Sequence, residues 1–372
     1  MNLDPIIPTP TELSTQRHPL KSPGFWIRIA FSLALLGWLA SRIDWKNVAE
    51  GLQSANPVWF LLAALLLMLS SVLAGCRWAI LMKKAGFVGT PMLRWQSLYF
   101  ASSLINQGLP TVMGGDSFRA WQAARPHKAA ALVTSPNAPG FRLAIGTVVL
   151  DRTLGLLGNL MLGCLGLISL GSGWLTLPTE SLSDATQATL REILFAPSTG
   201  NLGAALLGLM VSGLVIFAAL LLSKTFNQKV AGVLQKMHLG GLLPATHLAY
   251  GFRWLGPQVL LAISIHALGV AAMAACLYGV GVTPPLSALM VTLPAIGILL
   301  LLPISISGWG LRESALAAVL SIWGVPAGLT VLASITFGLM TILASLPGLS
   351  ALLSAHVSKP NSIKPPVTKA ST

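Results

Sequence analysis

The sequence predicts an all-α integral membrane protein, with about six spanning helices plus two re-entrant hairpins, so up to eight apparent spans. Four observations carry that expectation. The mean hydropathy is +0.76. Charged residues make up only 9% of the 372, whereas a soluble chain carries about a quarter, and a chain this apolar belongs in lipid. A helix-breaking stretch occurs twice at one spacing, each time between long apolar segments. Finally, Lys and Arg collect on alternate connections, as they do in chains threaded through a membrane.

The repeated stretch reads Leu109-Pro110-Thr111-Val112-Met113-Gly114-Gly115-Asp116-Ser117-Phe118-Arg119 in its first copy. The second reads Leu302-Pro303-Ile304-Ser305-Ile306-Ser307-Gly308-Trp309-Gly310-Leu311-Arg312, followed by Glu313. Aligning Pro110 with Pro303 also aligns Gly115 with Gly308 and Arg119 with Arg312. An Arg at mid-bilayer costs at least about 2.5–3.5 kcal/mol. Backbone opened by Pro and Gly is tolerated at that depth only inside protein or beside a wet cavity. Ordinary surface loops also collect Pro, Gly and Arg. The shared spacing and apolar flanks favour a pair of broken helices around a polar site.

In chain order, residues 1–24 are polar and Pro-rich, which predicts a flexible tail. A signal peptide over residues 17–41 is the alternative, but no good small-x-small cleavage site follows, so the apolar run is kept as an anchor. Helix one is expected over about 25–40, ending near Trp26 and Trp38. Helix two is expected over 57–81. Trp59 and Trp78 bracket it at about 28 Å, close to the hydrocarbon thickness, and Arg77, Lys83 and Lys84 are assigned to the collar that follows. Residues 92–108 are too polar for lipid all round and predict the first arm of a hairpin. The first motif is its tip and 116–125 its return, with Asp116 placed to cap free N–H groups. Residues 126–142 form a Pro-rich connection.

Helix three covers about 143–170 and contains Asp151-Arg152, either a buried functional cluster or a structural pair between helices. Residues 171–200 are polar. Helix four is expected over 202–222. Beyond it, Phe226, Val230, Val233, Leu234 and Met237 recur at helical spacing opposite lysines, which suits a helix lying on an anionic membrane surface or packed on the bundle. Helix five spans about 257–280, and its His266 reads as a packed residue before a proton relay. Residues 286–302 and 311–323 flank the second motif, and helix six covers 325–353.

With the N-terminus inside, and each hairpin returning to its own side, sixteen of the 23 Lys and Arg fall in inside segments and three outside. Both termini are then cytoplasmic, with a tail over 354–372. The membrane domain, 25–353, divides into inverted halves of about 25–170 and 201–353, each of two helices, a hairpin and a third helix. That is an inverted-repeat, transporter-like architecture. The correspondence lacks one piece, because Asp151-Arg152 has no charged counterpart near Ala344-Ser345.

The net charge of +13 does not point to nucleic acid, since no basic run is interleaved with exposed aromatics. Cys76, Cys164 and Cys276 lie in separate apolar segments and predict neither a zinc site nor a disulfide framework. No nucleotide loop, metal cluster or nucleophile set is visible, so no cofactor is expected and any transport would be downhill or ion-coupled.

Three pieces carry a family resemblance: Leu-Pro-x3-Gly-Gly-Asp-x2-Arg at 109–119, Leu-Asp-Arg at 150–152, and Pro-Ile-Ser-x2-Gly-x-Gly-x-Arg-Glu at 303–313. Over about 25–353 the chain resembles the flippase-like membrane domain of lysylphosphatidylglycerol synthases, without the soluble aminoacyl-transfer domain. It departs from the family pattern at Ser305-Ile306-Ser307 and Trp309, where a Gly-rich run is usual.

The resemblance implies a multi-pass protein of the cell (inner) membrane that moves or holds a lipid with a charged head group. The residues support this separately. Arg119, Arg152 and Arg312 offer bidentate donors to a phosphate. Helix starts after Gly115 and Gly310 offer N–H groups. Asp116, Asp151 and Glu313 would hold the arginines when no lipid is bound, or meet an amine head group. Gly114, Ser305, Ser307 and Gly308 complete the expected substrate-binding set. An accessory subunit for an enzyme of lipid biosynthesis, or a membrane group transferase, are the other readings.

Overall fold

The computed structural model describes residues 23–108, 113–124, 140–172, 252–283, 286–300, 305, 308–321 and 323–357. The expected helix over 202–222 and the amphipathic segment over 226–237 lie outside these residues, as do the tips at 109–112, 301–304 and 306–307.

Eleven α-helices occur among the described residues: α1 (Pro23–Ala40), α2 (Trp45–Gln53), α3 (Pro57–Lys84), α4 (Met92–Gly108), α5 (Met113–Ala124), α6 (Phe141–Ser172), α7 (Phe252–Gly279), α8 (Leu286–Leu299), α9 (Leu311–Ser321), α10 (Ala327–Ser345) and α11 (Leu349–Val357), with a 3-10 turn at Leu346–Gly348. No strand is present among them. Four stretches are long and apolar enough to cross a membrane: Pro57–Lys84, Leu143–Ser169, Gly256–Gly279 and Ala327–Ser354. Ile29–Ala40 and Leu286–Leu299 are shorter apolar helices. The protein is therefore an all-α membrane protein.

Local chemistry sets the ends of these helices. Asn56 accepts from the Val58 N–H and Pro57 occupies the first helical position, so α3 starts on a side-chain cap and a preset φ. Asp44 caps α2 in the same way through the Lys46 N–H. Pro257 falls inside α7, yet the helix begins five residues earlier, at Phe252.

The core forms where α3 and α7 run together. Ala63 and Leu67 meet Met273, Cys276 and Leu277 in one buried cluster, and the Asn56 N–H donates to the Gly279 carbonyl at 2.9 Å. Around this pair the contacts follow one rule. Exchanging α3 with α7, α4 with α8, α5 with α9 and α6 with α10 maps each substantial packing pair among these eight helices onto another, if the 3-10 turn and α11 count as the continuation of α10. Thus α8 packs along α6, and α4 packs against the end of α10. Both are close approaches. A Cβ on Gly166 would meet Met290 backbone at 2.8 Å, and one on Gly348 would collide with the Phe100–Ala101 peptide.

Candidate functional site

The first polar cluster gathers charges from three helices. On α3, Arg77 lies on the buried face shared with Ala74, Trp78 and Leu81. Its Nε donates to Asp151 Oδ1 on α6 at 2.9 Å, and its Nη2 to the Asp151 carbonyl at 3.1 Å. Arg119 on α5 donates through Nη2 to Asp151 Oδ2 at 3.1 Å and through Nε to Asp116 Oδ1 at 3.1 Å. Arg152 closes the chain, with Nε to Asp116 Oδ2 at 2.7 Å and Nη2 to Oδ1 at 3.0 Å. The order is Arg77, Asp151, Arg119, Asp116, Arg152, so each carboxylate lies between two guanidinium groups.

Arg119 is 1% exposed. Its guanidinium carbon lies 4.8 Å from the Trp78 ring centroid and 5.0 Å from that of Tyr99. Aromatic faces thus replace part of the hydration this cation loses on burial. The hairpin that brings α5 here needs Gly115. Its N–H donates to Asn106 Oδ1 at 2.8 Å, and a Cβ there would collide with the Ser102 carbonyl of α4.

The second cluster is smaller and neutral. Gly308 and Gly310 turn the chain into α9 at φ +81° and +82°, a left-handed region that side-chain-bearing residues rarely adopt. The Gly310 N–H donates to Glu313 Oε2 at 2.7 Å, so this acid caps its own helix. Glu313 Oε1 accepts from Arg312 Nη2 at 2.6 Å and from the Ser334 hydroxyl at 3.0 Å. Arg312 also donates to the Ser334 carbonyl and lies over the Trp309 and Phe337 rings.

A cavity of about 530 Å³ connects the two clusters. Arg77, Tyr99, Asp151 and Arg152 line it on one side and Arg312 and Phe337 on another. Between them its wall is largely apolar, with Asn159 and His266 as polar points. Asn159 donates to the Pro294 carbonyl at 3.0 Å. His266 Nε2 contacts the Gly155 carbonyl at 2.8 Å, which makes that nitrogen the N–H bearer and fixes the ring.

Of the residues singled out from sequence, Asp116, Arg119, Asp151 and Arg152 meet in the first cluster, and Gly310, Arg312 and Glu313 in the second. The acids hold the arginines through ion pairs in both clusters. Asp116 does not act as the expected helix cap. Its carboxylate is engaged by Arg119, Arg152 and Ser102. The helix start expected after Gly115 falls two residues before it, at Met113, and the one expected after Gly310 falls at Leu311; the Gly115 and Gly310 N–H groups themselves donate to side chains. Gly114 is half-buried at the start of α5, and Gly308 and Ser305 are buried. Ser307 lies outside the described residues.

Arg77 needs a correction. Sequence reasoning placed it with Lys83 and Lys84 in an inside collar, but it is 4% exposed and ion-paired. The signal was its seven-residue lead over Lys84, two turns of helix that carry it back into the apolar stretch. A second correction concerns the counterpart of Asp151. Asp151 accepts from Arg119 across 32 positions, whereas Arg312 reaches Ser334 across 22. The partner is a serine, ten positions before the place where a charge was sought, because the connection after the first hairpin is longer.

The sequence model described as Lysylphosphatidylglycerol synthase TM region matches residues 25–348 of this chain. No curated protein matches it.

Proposed function

Because the chain belongs to the family of lysylphosphatidylglycerol synthase TM regions, which ties it to membrane-lipid chemistry, we propose that it binds a charged lipid head group in the central cavity and translocates that lipid across the bilayer. One observation carries the reading: a single cavity receives arginines from both halves of the chain, Arg77 and Arg152 from one and Arg312 from the other. Its volume, about 530 Å³, falls in the range of small-molecule sites and suits a head group with the acyl tails left in lipid. The remaining wall is largely apolar, so charged contacts inside are screened little.

The twofold exchange of packing partners supports two inverted halves working about that site, the arrangement in which one half rocks against the other. Both termini then face the cytoplasm. Vesicles carrying the purified protein and fluorescent phospholipids test the proposal. Accelerated loss of the inner-leaflet fluorophore, which only translocation exposes to a membrane-impermeant quencher, is the expected result without ATP. Rates equal to those of protein-free vesicles would reject translocation. Product formed from the lipid would indicate a transferase instead.

A further inference from the structure

The first cluster contains three arginines and two aspartates, so it carries one positive charge more than it neutralises. The second cluster pairs Arg312 with Glu313 and offers no spare anion. The surplus can be traced to one place. Arg119 also has a buried Nη1 with no hydrogen-bond partner, but it lies over two aromatic rings and does not line the cavity, and Arg152 has both carboxylate oxygens of Asp116. Arg77 lines the cavity, is 4% exposed, and has a buried Nη1 with no hydrogen-bond partner. A buried guanidinium N–H left without an acceptor is costly, so one that also lines a cavity is where a ligand would complete the site.

The ground beside it is prepared. Gly155 stands next to this guanidinium, where a Cβ would lie 3.4 Å from Nη2 and 3.9 Å from Nη1. With only a hydrogen there, no side chain from position 155 stands against Nη1, which is buried at the cavity wall. The Gly155 carbonyl is occupied by His266, so it does not compete for the arginine.

We propose that Arg77 is the anion-binding residue of the cavity, and that its ligand is the singly charged phosphodiester of a lipid whose head group is anionic overall. The assignment rests on the lipid-site reading above and makes it specific. One phosphodiester oxygen accepts from Arg77 Nη1, and its single negative charge balances the surplus of the cluster. A dianionic phosphate would overcompensate it. A net cationic head group, such as an aminoacylated one, would leave the surplus in place.

The test uses the full chain in detergent, titrated with dihexanoyl-phosphatidylglycerol. Parallel titrations use dihexanoylglycerol, inorganic phosphate and dihexanoyl-lysylphosphatidylglycerol. Two variants address Arg77. Arg77→Lys keeps the charge and loses the fork. Gly155→Ala removes no partner and fits without collision, but fills the space beside Nη1.

The expected result is saturable binding of dihexanoyl-phosphatidylglycerol, weakened about tenfold or more in either variant at unchanged folded yield. Dihexanoylglycerol should not bind, phosphate should not compete, and the lysyl lipid should bind more weakly. Should Arg77→Lys fail to fold, Gly155→Ala decides alone. If the wild type binds and a folded Gly155→Ala binds equally well, the Arg77 assignment is wrong while the lipid site stands. If the wild type binds no lipid, both fall. Competition by phosphate at matching concentration would make this a free-anion site, and tighter binding of the lysyl lipid would overturn the charge argument.

Discussion

Arg152 holds Asp116 through two hydrogen bonds, of 2.7 and 3.0 Å, while 49% of the Arg152 side chain remains open against 12% for Asp116. Arg119, one link further along the same chain of ion pairs, is closed on every side. One cluster therefore contains a cation that a ligand can reach and one that it cannot.

Arg152→Lys should keep folded yield near wild type, because a half-open ion pair adds at most about 1 kcal/mol. It should nevertheless lower lipid transport, since an ammonium cannot hold both oxygens of Asp116 in one plane at the cavity wall and so loosens the chain of ion pairs that reaches Arg77. Transport in vesicles beside folded yield in detergent separates the two effects. Wild-type transport by this variant would remove Arg152 from the site.

Arg119→Met should behave in the opposite way. It removes the two charge-assisted hydrogen bonds that bridge Asp116 and Asp151, each worth about 1.5–3 kcal/mol, and leaves the acids to Arg152 and Arg77 alone. Loss of the folded monomer peak, or a large drop in thermal midpoint, is expected before any transport is measured. A stable, monodisperse Arg119→Met protein would show that the cluster is not a structural keystone.

Gly115→Ala tests the hairpin. The added methyl collides with the Ser102 carbonyl, which belongs to backbone and cannot swing aside. Separating α4 from α5 should cost about 1–3 kcal/mol and shift the cluster they share. Gly37→Ala is the control, since a Cβ there meets nothing within 4 Å.

Glu313→Gln should be more damaging than Ser334→Ala. The glutamate is 0% exposed, is the only acid paired with Arg312 among the described residues, and caps α9. The serine removes one neutral hydrogen bond, worth about 1 kcal/mol. Thermal unfolding of both variants in the same detergent gives the order directly, and equal midpoints would contradict it.

Cysteine labelling checks the orientation. With Arg77 assigned to the interior, fifteen Lys and Arg remain in inside segments against three outside, so the bias persists. An impermeant reagent added outside should reach a cysteine at Ser181 and miss those at Lys236 and Lys364. Labelling at Lys236 would reverse the topology.

Much of this was legible in the chain because its signals are local. An apolar run long enough to span reads directly as Pro57–Lys84 or Ala327–Ser354, and Pro-Gly punctuation marks where α5 and α9 begin. The repeated Gly and Arg spacing was enough to name Arg119 and Arg312 as a matched pair. Arg77 was missed for the opposite reason. A cation near the end of an apolar helix looks the same in sequence whether it points to water or inward.

The sequence by itself determined the solvent this protein folds in, most of its helix boundaries, and which residue types would have to be reconciled with lipid. Hydropathy, capping and helix-breaking act over a few residues, so composition and order suffice. Only the tertiary structure decided which acid neutralises which arginine. Arg77 finds Asp151 across 74 positions and Arg152 finds Asp116 across 36, and no periodicity encodes such distances. Helix packing sets them. Desolvation then makes the outcome strict, because a buried guanidinium must find its acceptor where the neighbouring helices happen to present one. Arg312 takes a helix-capping glutamate and a serine. Arg77 is left with its buried Nη1 unpartnered beside the cavity.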